Sequence, residues 1–326
     1  MRQPTSKNQA CNFRPGQMIK GRWHGNQYQI VRLLGEGAIG KVYLANRTGQ
    51  PVAMKVARES MSVSSEVRAL RQISKVRGVS LGPFFVDMDD LEGAHGSTSF
   101  YVMEYIDGEP FLSFINKRGK EWMALFLIQL LTDLSALHES GWVFGDLKPE
   151  NLIVTQKTPS LRWIDVGGMT KMGRSIKEYT EFFDRGYWGL GDRKAEPSYD
   201  LFAVAMLIMN VGYPKRFQRI NGGKKELLDK LKHQPSLSPY RDVIVKAIEH
   251  RYDDASQMKV DLMKVMKKKL TVSTPEKMHV RMKPTHKKRA HKRVSNVRME
   301  RKYKGTLETA VFSSFLLFLY ILYLLG

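Results

Sequence analysis

The chain holds one cysteine, Cys11, in 326 residues. It can form no internal disulfide and no thiolate-rich zinc site, so nothing in it calls for an oxidising compartment. Acidic residues are few: 32 Asp and Glu stand against 53 Lys and Arg, a formal charge of +21. The opening, Met1-Arg-Gln-Pro-Thr-Ser-Lys7, lacks the apolar core of a secretory signal. Internal repeats are lacking too, and one basic tract is the only compositionally biased stretch. A single long uncharged apolar run exists, Thr309 to Gly326. With 42% hydrophobic residues the chain is ample for a sizeable core, and a cytosolic catalytic domain is the simplest expectation.

Chemistry-bearing side chains are densest in Gly141-Trp-Val-Phe-Gly-Asp-Leu-Lys-Pro-Glu-Asn-Leu-Ile-Val154. Trp142-Val143 and Leu152-Ile-Val154 read as short buried strands, which places Asp146, Lys148 and Asn151 on a loop held at both ends. A carboxylate two residues ahead of a lysine suits phosphoryl transfer. Asp146 would orient a hydroxyl and accept its proton, and Lys148 would neutralise the moving phosphoryl group. Asn151 would offer an amide oxygen to magnesium, which prefers hard ligands.

The string resembles the catalytic loop of the eukaryotic-like (Hanks-type) Ser/Thr protein kinases, H-R-D-[LI]-K-P-E-N, with Phe144 at the His position and Gly145 at the Arg position. The resemblance implies an α+β, bilobal protein-kinase fold, with a small β-rich N-lobe and a larger helical C-lobe. It also implies ATP with Mg2+, or Mn2+ in its place, and Lys148 favours Ser/Thr as acceptor. Gly145 argues against control through a phosphate paired to the family's loop arginine.

Partner motifs occur on both sides. Tyr28 to Leu34, then Gly35-Glu36-Gly37-Ala38-Ile39-Gly40, then Lys41-Val42-Tyr-Leu44 read as strand, glycine turn and strand. A dinucleotide-binding turn would lead into a helix, whereas continuation into a strand matches a kinase phosphate lid. Side chains at Gly35, Gly37 or Gly40 would push a nucleotide away. Val52-Ala53-Met-Lys55-Val56 alternates so that Ala53 and Lys55 share a side, making Lys55 the candidate for the α- and β-phosphates. Val42 and Ala53 would roof the adenine. In Ser64 to Ile73, read as a helix capped by its serines, Glu66 is the choice for the ion-pair partner of Lys55, with Glu59 as rival. After a loop, Phe100 to Gly108 resembles the strand and hinge, with Met103 as gatekeeper and the backbone of Glu104 and Ile106 meeting adenine.

Glu121 to His138 is apolar nearly all round and reads as a buried helix, with His138 a cap or packing residue. Ile164-Asp165-Val166-Gly167 resembles the D-F-G loop, so Asp165 would bind magnesium. Thr170, Ser175, Tyr179 and Thr180 follow as candidate autophosphorylation sites. The A-P-E motif is not evident; Asp192 or Glu196 stands in for its acid, with Arg251 as expected partner. Asp200, in an apolar helix, matches the Asp that holds the catalytic loop from below.

Lys264 to Lys304 carries 16 Lys or Arg against Glu276 and Glu300, a net +14. A solvated linker, anionic lipid headgroups and DNA are three readings that the sequence leaves open. Thr309 to Gly326, at 1.5 Å per residue, spans roughly 27 Å, close to a bilayer core. Flanking cations would keep the rest on the cytoplasmic side of the cell membrane, with no external sensor domain expected. This layout resembles the YabT-type kinases of spore-forming bacteria, which implies stimulation by DNA bound to the basic segment and a role in sporulation. The expected domains are a flexible arm over 1–24, the kinase domain over 25–263, a basic juxtamembrane segment over 264–304 and a transmembrane helix over 309–326. A homodimer is left open. The rival reading is a pseudokinase scaffold tethered to DNA or lipid, with Phe144, Gly145, Val166 and the absent A-P-E as marks of decay.

Overall fold

Alternating apolar and polar residues build the N-terminal part as a sheet. Strands β1 (Met18–Lys20), β2 (Gln27–Glu36), β3 (Gly40–Arg47) and β4 (Gln50–Ala57) form an antiparallel meander. Helix α1 (Ser60–Ile73) follows, then β5 (Phe85–Gly93) and β6 (Gly96–Glu104), giving the sheet order β1-β2-β3-β4-β6-β5. Val52, Met54 and Val56 of β4 bury on one face with Tyr28, Ile30 and Tyr43. Ala53 and Ala57 bury on the other, in the core that α1 shares through Val63, Val67 and Leu70. Lys55 lies on that second face.

This is a computed structural model, and it describes residues 12–37, 40–57, 60–76, 82–93, 96–220 and 222–272. Those residues fall within one unit, Met1–Thr274. After the sheet come β7 (Gly108–Pro110), α2 (Phe111–Arg118), α3 (Glu121–Glu139), β8 (Trp142–Val143), β9 (Leu152–Thr155), β10 (Leu161–Trp163) and β11 (Thr170–Lys171). The chain then turns helical, with α4 (Pro197–Gly212), α5 (Gly223–Lys232), α6 (Arg241–Ile248) and α7 (Ala255–Val272). Strands β10-β9-β7 make one small sheet and β11-β8 another. From Tyr199 to Gly212 every residue of α4 is buried. A helix apolar all round has no solvent face, and each Leu, Ile or Val buried along it contributes about 1.5–3 kcal/mol.

Four expectations are corrected here. The flexible arm does not extend to residue 24: β1 pairs with β2, and the N–H groups of Trp23 and His24 both donate to Asp89 at 2.8 Å. The stretch between α1 and Phe100, read as a loop, contains β5, whose acidic residues hide its alternation. Helix α1 begins at Ser60, so Ser64 and Ser65 lie inside it and do not cap it. The boundary at 263–264 falls within α7, which runs on to Val272; the rest of the basic segment and the apolar run 309–326 lie outside the described residues. Among the described residues no helix is long and apolar enough to cross a membrane.

Candidate active site

The loop between β8 and β9 is fixed from beneath. Asp200, fully buried on α4, accepts the N–H of Phe144 at 2.8 Å and of Gly145 at 2.9 Å, and His138 Nε2 lies 2.9 Å from it. His138 thus ties the end of α3 to the loop's anchor and is more than a packing residue. Phe144 is buried and packs on Trp163 with ring centroids 4.5 Å apart. Gly145 has φ +83°, and a Cβ there would stand 2.7 Å from the Gly168 carbonyl oxygen. The departure from the family's arginine is therefore matched by a backbone that favours glycine.

Above this anchor the polar side chains converge. Lys148 donates to Asp146 Oδ2 at 2.5 Å, and the Asn151 amide N–H donates to the Asp146 carbonyl at 2.9 Å, which leaves the amide oxygen for another partner. Thr180, a sequence candidate for autophosphorylation, donates to Asp146 Oδ1 at 3.2 Å and accepts from Lys148 at 3.2 Å.

Lys55 forms an ion pair with Glu66 on α1, and Tyr101 donates to the same carboxylate at 2.6 Å. Burial opposes the Lys55 charge, but Asp165 and Glu66 outweigh it and hold the ammonium above its ordinary pKa. Burial beside Glu66 pushes the Tyr101 phenol well up, so it stays a donor. Glu59, the rival to Glu66, lies outside the described residues.

These groups open on one cleft of about 850 Å³. Gly35, Glu36, Gly37, Gly40, Val42, Ala53 and Lys55 line it above, Glu104 and Ile106 at the hinge, and Asp146, Lys148, Asn151 and Asp165 below. Glu66 stands behind Lys55, and Ala38 lies outside the described residues. Built Cβ atoms on Gly35 or Gly37 would meet nothing within 4 Å, so the space beneath them is open to a ligand. At Gly40 the reason differs from that expected: a Cβ would strike the Val56 carbonyl oxygen at 2.2 Å, so this glycine serves strand packing. The Glu104 N–H already donates to the Phe84 carbonyl, and the Glu104 carboxylate accepts from Arg162.

Several participants escape a sequence reading. Tyr101 pairs in register with Lys55 across β4 and β6, a placement that strand alternation could have found. Glu178 lines the cleft, where burial and the neighbouring Asp165 and Glu66 raise its pKa; nothing local in the sequence marks it. The expected pairing of Asp192 or Glu196 with Arg251 is overturned. Both acids bond Arg185, a fully buried arginine, at 3.1 and 2.8 Å, while Arg251 pairs with Glu249. Arg185 precedes Asp192 by 7 positions and Glu196 by 11, so the pairing closes within one segment.

The carboxylate, lysine and amide of one loop, facing a buried Lys–Glu pair under a glycine turn, define the protein kinase class. The chain belongs to the protein kinase family: the protein kinase domain matches residues 28–295. It is similar to the serine/threonine-protein kinase YabT of Bacillus subtilis, with 43% identity over 97% of this chain and 96% of that one. It is also similar to a probable serine/threonine-protein kinase of Clostridium perfringens, 24% identical over 76% of this chain and 39% of that one. A third relative is the serine/threonine-protein kinase PknG of Mycobacterium leprae, 27% identical over 48% of this chain and 21% of that one. The chain is thus a serine/threonine protein kinase of the bacterial Hanks type, similar to YabT.

Proposed function

We propose that the cleft binds ATP with a divalent metal and transfers its γ-phosphoryl group to Ser or Thr hydroxyls of proteins, this chain's own included. The observation that carries this reading is the convergence of Lys55, Asp146, Lys148, Asn151 and Asp165 on one cleft. Lys55, kept charged and steadied by Glu66, holds the α- and β-phosphates. Asp146 accepts the proton of the acceptor hydroxyl as its oxygen bonds phosphorus and the bond to the β-phosphate oxygen breaks, releasing ADP. Lys148 balances the charge that builds on the transferred group. Asn151 and Asp165, both lining the cleft, would supply hard oxygens to hold Mg2+ or Mn2+. The metal, when bound, draws charge from the phosphate oxygens.

The reading extends to the tail. Residues 264–304, with net +14, bind duplex DNA or anionic lipid, and 309–326 anchor the chain in the membrane with the kinase domain on the cytoplasmic side. DNA on the tail stimulates transfer. Placement in sporulation rests on likeness to the spore-former's kinase alone.

The test is phosphate incorporation from labelled ATP by the full chain in detergent, beside its Asp146→Asn and Lys55→Met forms, with duplex DNA or anionic vesicles at two salt concentrations. Incorporation should fall at least about 100-fold in both variants. DNA should raise it in a salt-sensitive way. Equal incorporation by Asp146→Asn would overturn the assignment, and indifference to DNA would move the tail to lipid or to a solvated linker.

A further inference from the structure

From Ile176 to Thr180 the chain alternates between inside and outside. Ile176 is buried with Val143, Ala195 and Tyr199, and its N–H donates to the Arg193 carbonyl at 2.7 Å. Lys177 faces out, and Tyr179 is 46% exposed with the Arg193 guanidinium over its ring, 4.0 Å from the centroid. Thr180 turns inward again, to Asp146 and Lys148. Alternate residues share a side along an extended chain, and Thr180 has extended dihedrals. Glu178 therefore faces the cleft, and an anchor two residues away on each side keeps it there.

That place is crowded with negative charge. A Cβ built on Gly167 would meet Asp165 Oδ1 at 3.3 Å, Glu178 Oε2 at 3.7 Å and the Glu66 carboxyl carbon at 3.7 Å, so three carboxyl groups surround one backbone position. Glu66 is matched by Lys55 and Asp146 by Lys148. Glu178 makes no hydrogen bond or ion pair among the described residues. Burial, then Asp165 and Glu66, raise its pKa, and Lys55 offsets them only in part. Around Lys55 and the catalytic loop, the carboxylates of Glu66, Asp146, Asp165 and Glu178 thus meet only the ammonium groups of Lys55 and Lys148, and Asp165 and Glu178 are left over.

This excess sets what the cleft accepts. Metal-free ADP carries about three negative charges near neutral pH, and its magnesium complex about one. A carboxylate fixed in a partly dehydrated cleft repels the first far more than the second. We propose that Glu178 makes the cleft discriminate against nucleotide that lacks its divalent metal. It is a specificity-determining residue, and the inference rests on the reading of the cleft as a nucleotide site.

The test measures ADP binding to the full chain in detergent by calorimetry at about pH 8, with Mg2+ or with EDTA. The parent is compared with Glu178→Gln, Glu178→Asp and Glu181→Gln. Glu178→Gln removes the charge at nearly constant shape, so the melting temperature should not fall. Its preference for Mg-ADP over metal-free ADP should drop at least about tenfold, or about 1.4 kcal/mol, through tighter binding of the metal-free form. Affinity for Mg-ADP should stay within about threefold. Glu178→Asp should keep most of the preference, and Glu181→Gln, at an exposed acid of the same segment, all of it. Raising salt should shrink the parent's preference, because screening weakens the repulsion. An unchanged preference in Glu178→Gln, with ADP bound by the parent, would overturn the proposal and leave the nucleotide reading intact. Weaker Mg-ADP binding with metal-free binding unchanged would also overturn it and make Glu178 a ligand of the metal. No ADP bound by the parent in either condition would sink the nucleotide reading and this inference with it.

Discussion

The Thr180 hydroxyl sits 3.2 Å from Asp146 Oδ1 and 3.2 Å from Lys148 Nζ, bridging two residues of a loop more than thirty positions away. The contact ties the segment after Asp165 to the side chain proposed as base. Thr180 thus acts as a positioning residue, and removing its hydroxyl should misplace Asp146 without touching the nucleotide. Thr180→Val should lower kcat about 10- to 100-fold with little change in KM for ATP. Thr180→Ser should keep most of the rate. A rise in KM for ATP with kcat intact would show that the hydroxyl serves nucleotide binding instead.

Gly145 explains why the family's arginine is missing. Its left-handed backbone and the 2.7 Å approach to the Gly168 carbonyl leave no room for a side chain. Restoring the arginine should therefore harm the protein. Gly145→Ala should cost on the order of 1–3 kcal/mol, and Gly145→Arg no less, measured as a shift in the urea midpoint. A Gly145→Arg protein as stable as the parent would mean that the loop can adopt another backbone conformation.

The glycine turn makes a paired prediction. At Gly35 an added Cβ meets nothing, while at Gly40 it meets the Val56 carbonyl at 2.2 Å. Gly35→Ala should leave the melting temperature in place and raise KM for ATP. Gly40→Ala should lower the melting temperature through overpacking, a cost of about 1–3 kcal/mol. Equal thermal losses in both would remove the distinction between a ligand-facing glycine and a packing one.

Much of this site is legible in sequence because its chemistry is local. Asp146, Lys148 and Asn151 lie within six residues, and the strand–turn–strand of Gly35 to Leu44 is set by alternation and glycine. Lys55 and Glu66 need only the assumption that a strand lysine faces a helix. What stays hidden depends on segments meeting in ways no periodicity marks. Arg185 closes on Asp192 and Glu196 because the chain folds back on itself there. Glu178 enters the cleft through the path of its loop. Strand β5 is hard to see because Asp87, Asp89, Asp90 and Glu92 break its apolar pattern, yet Asp87 and Asp89 are buried as acceptors for the N-terminal segment. The same bonds turn the expected arm into part of the sheet.

Asp133 makes the fold sensitive to pH. It is buried on α3, and burial pushes its carboxyl up to about 7, with Arg162 opposing only in part. An unfolded aspartate titrates near 3.9. The folded state therefore holds the proton over a range where the unfolded state has lost it. Folding is favoured fully below about pH 4, loses stability as pH rises towards 7, and changes no further above that. The displacement corresponds to about 4 kcal/mol, at about 1.4 kcal/mol per pKa unit. Asp133→Asn, close in shape to the protonated acid, should match the parent at pH 4 and exceed it at pH 8. For a domain of this size the gain at pH 8 should be on the order of 10 °C in melting temperature, at about 2–4 °C per kcal/mol. A variant less stable than the parent at pH 8 would mean that the ionised carboxylate is stabilised in the fold, and that Arg162 outweighs burial.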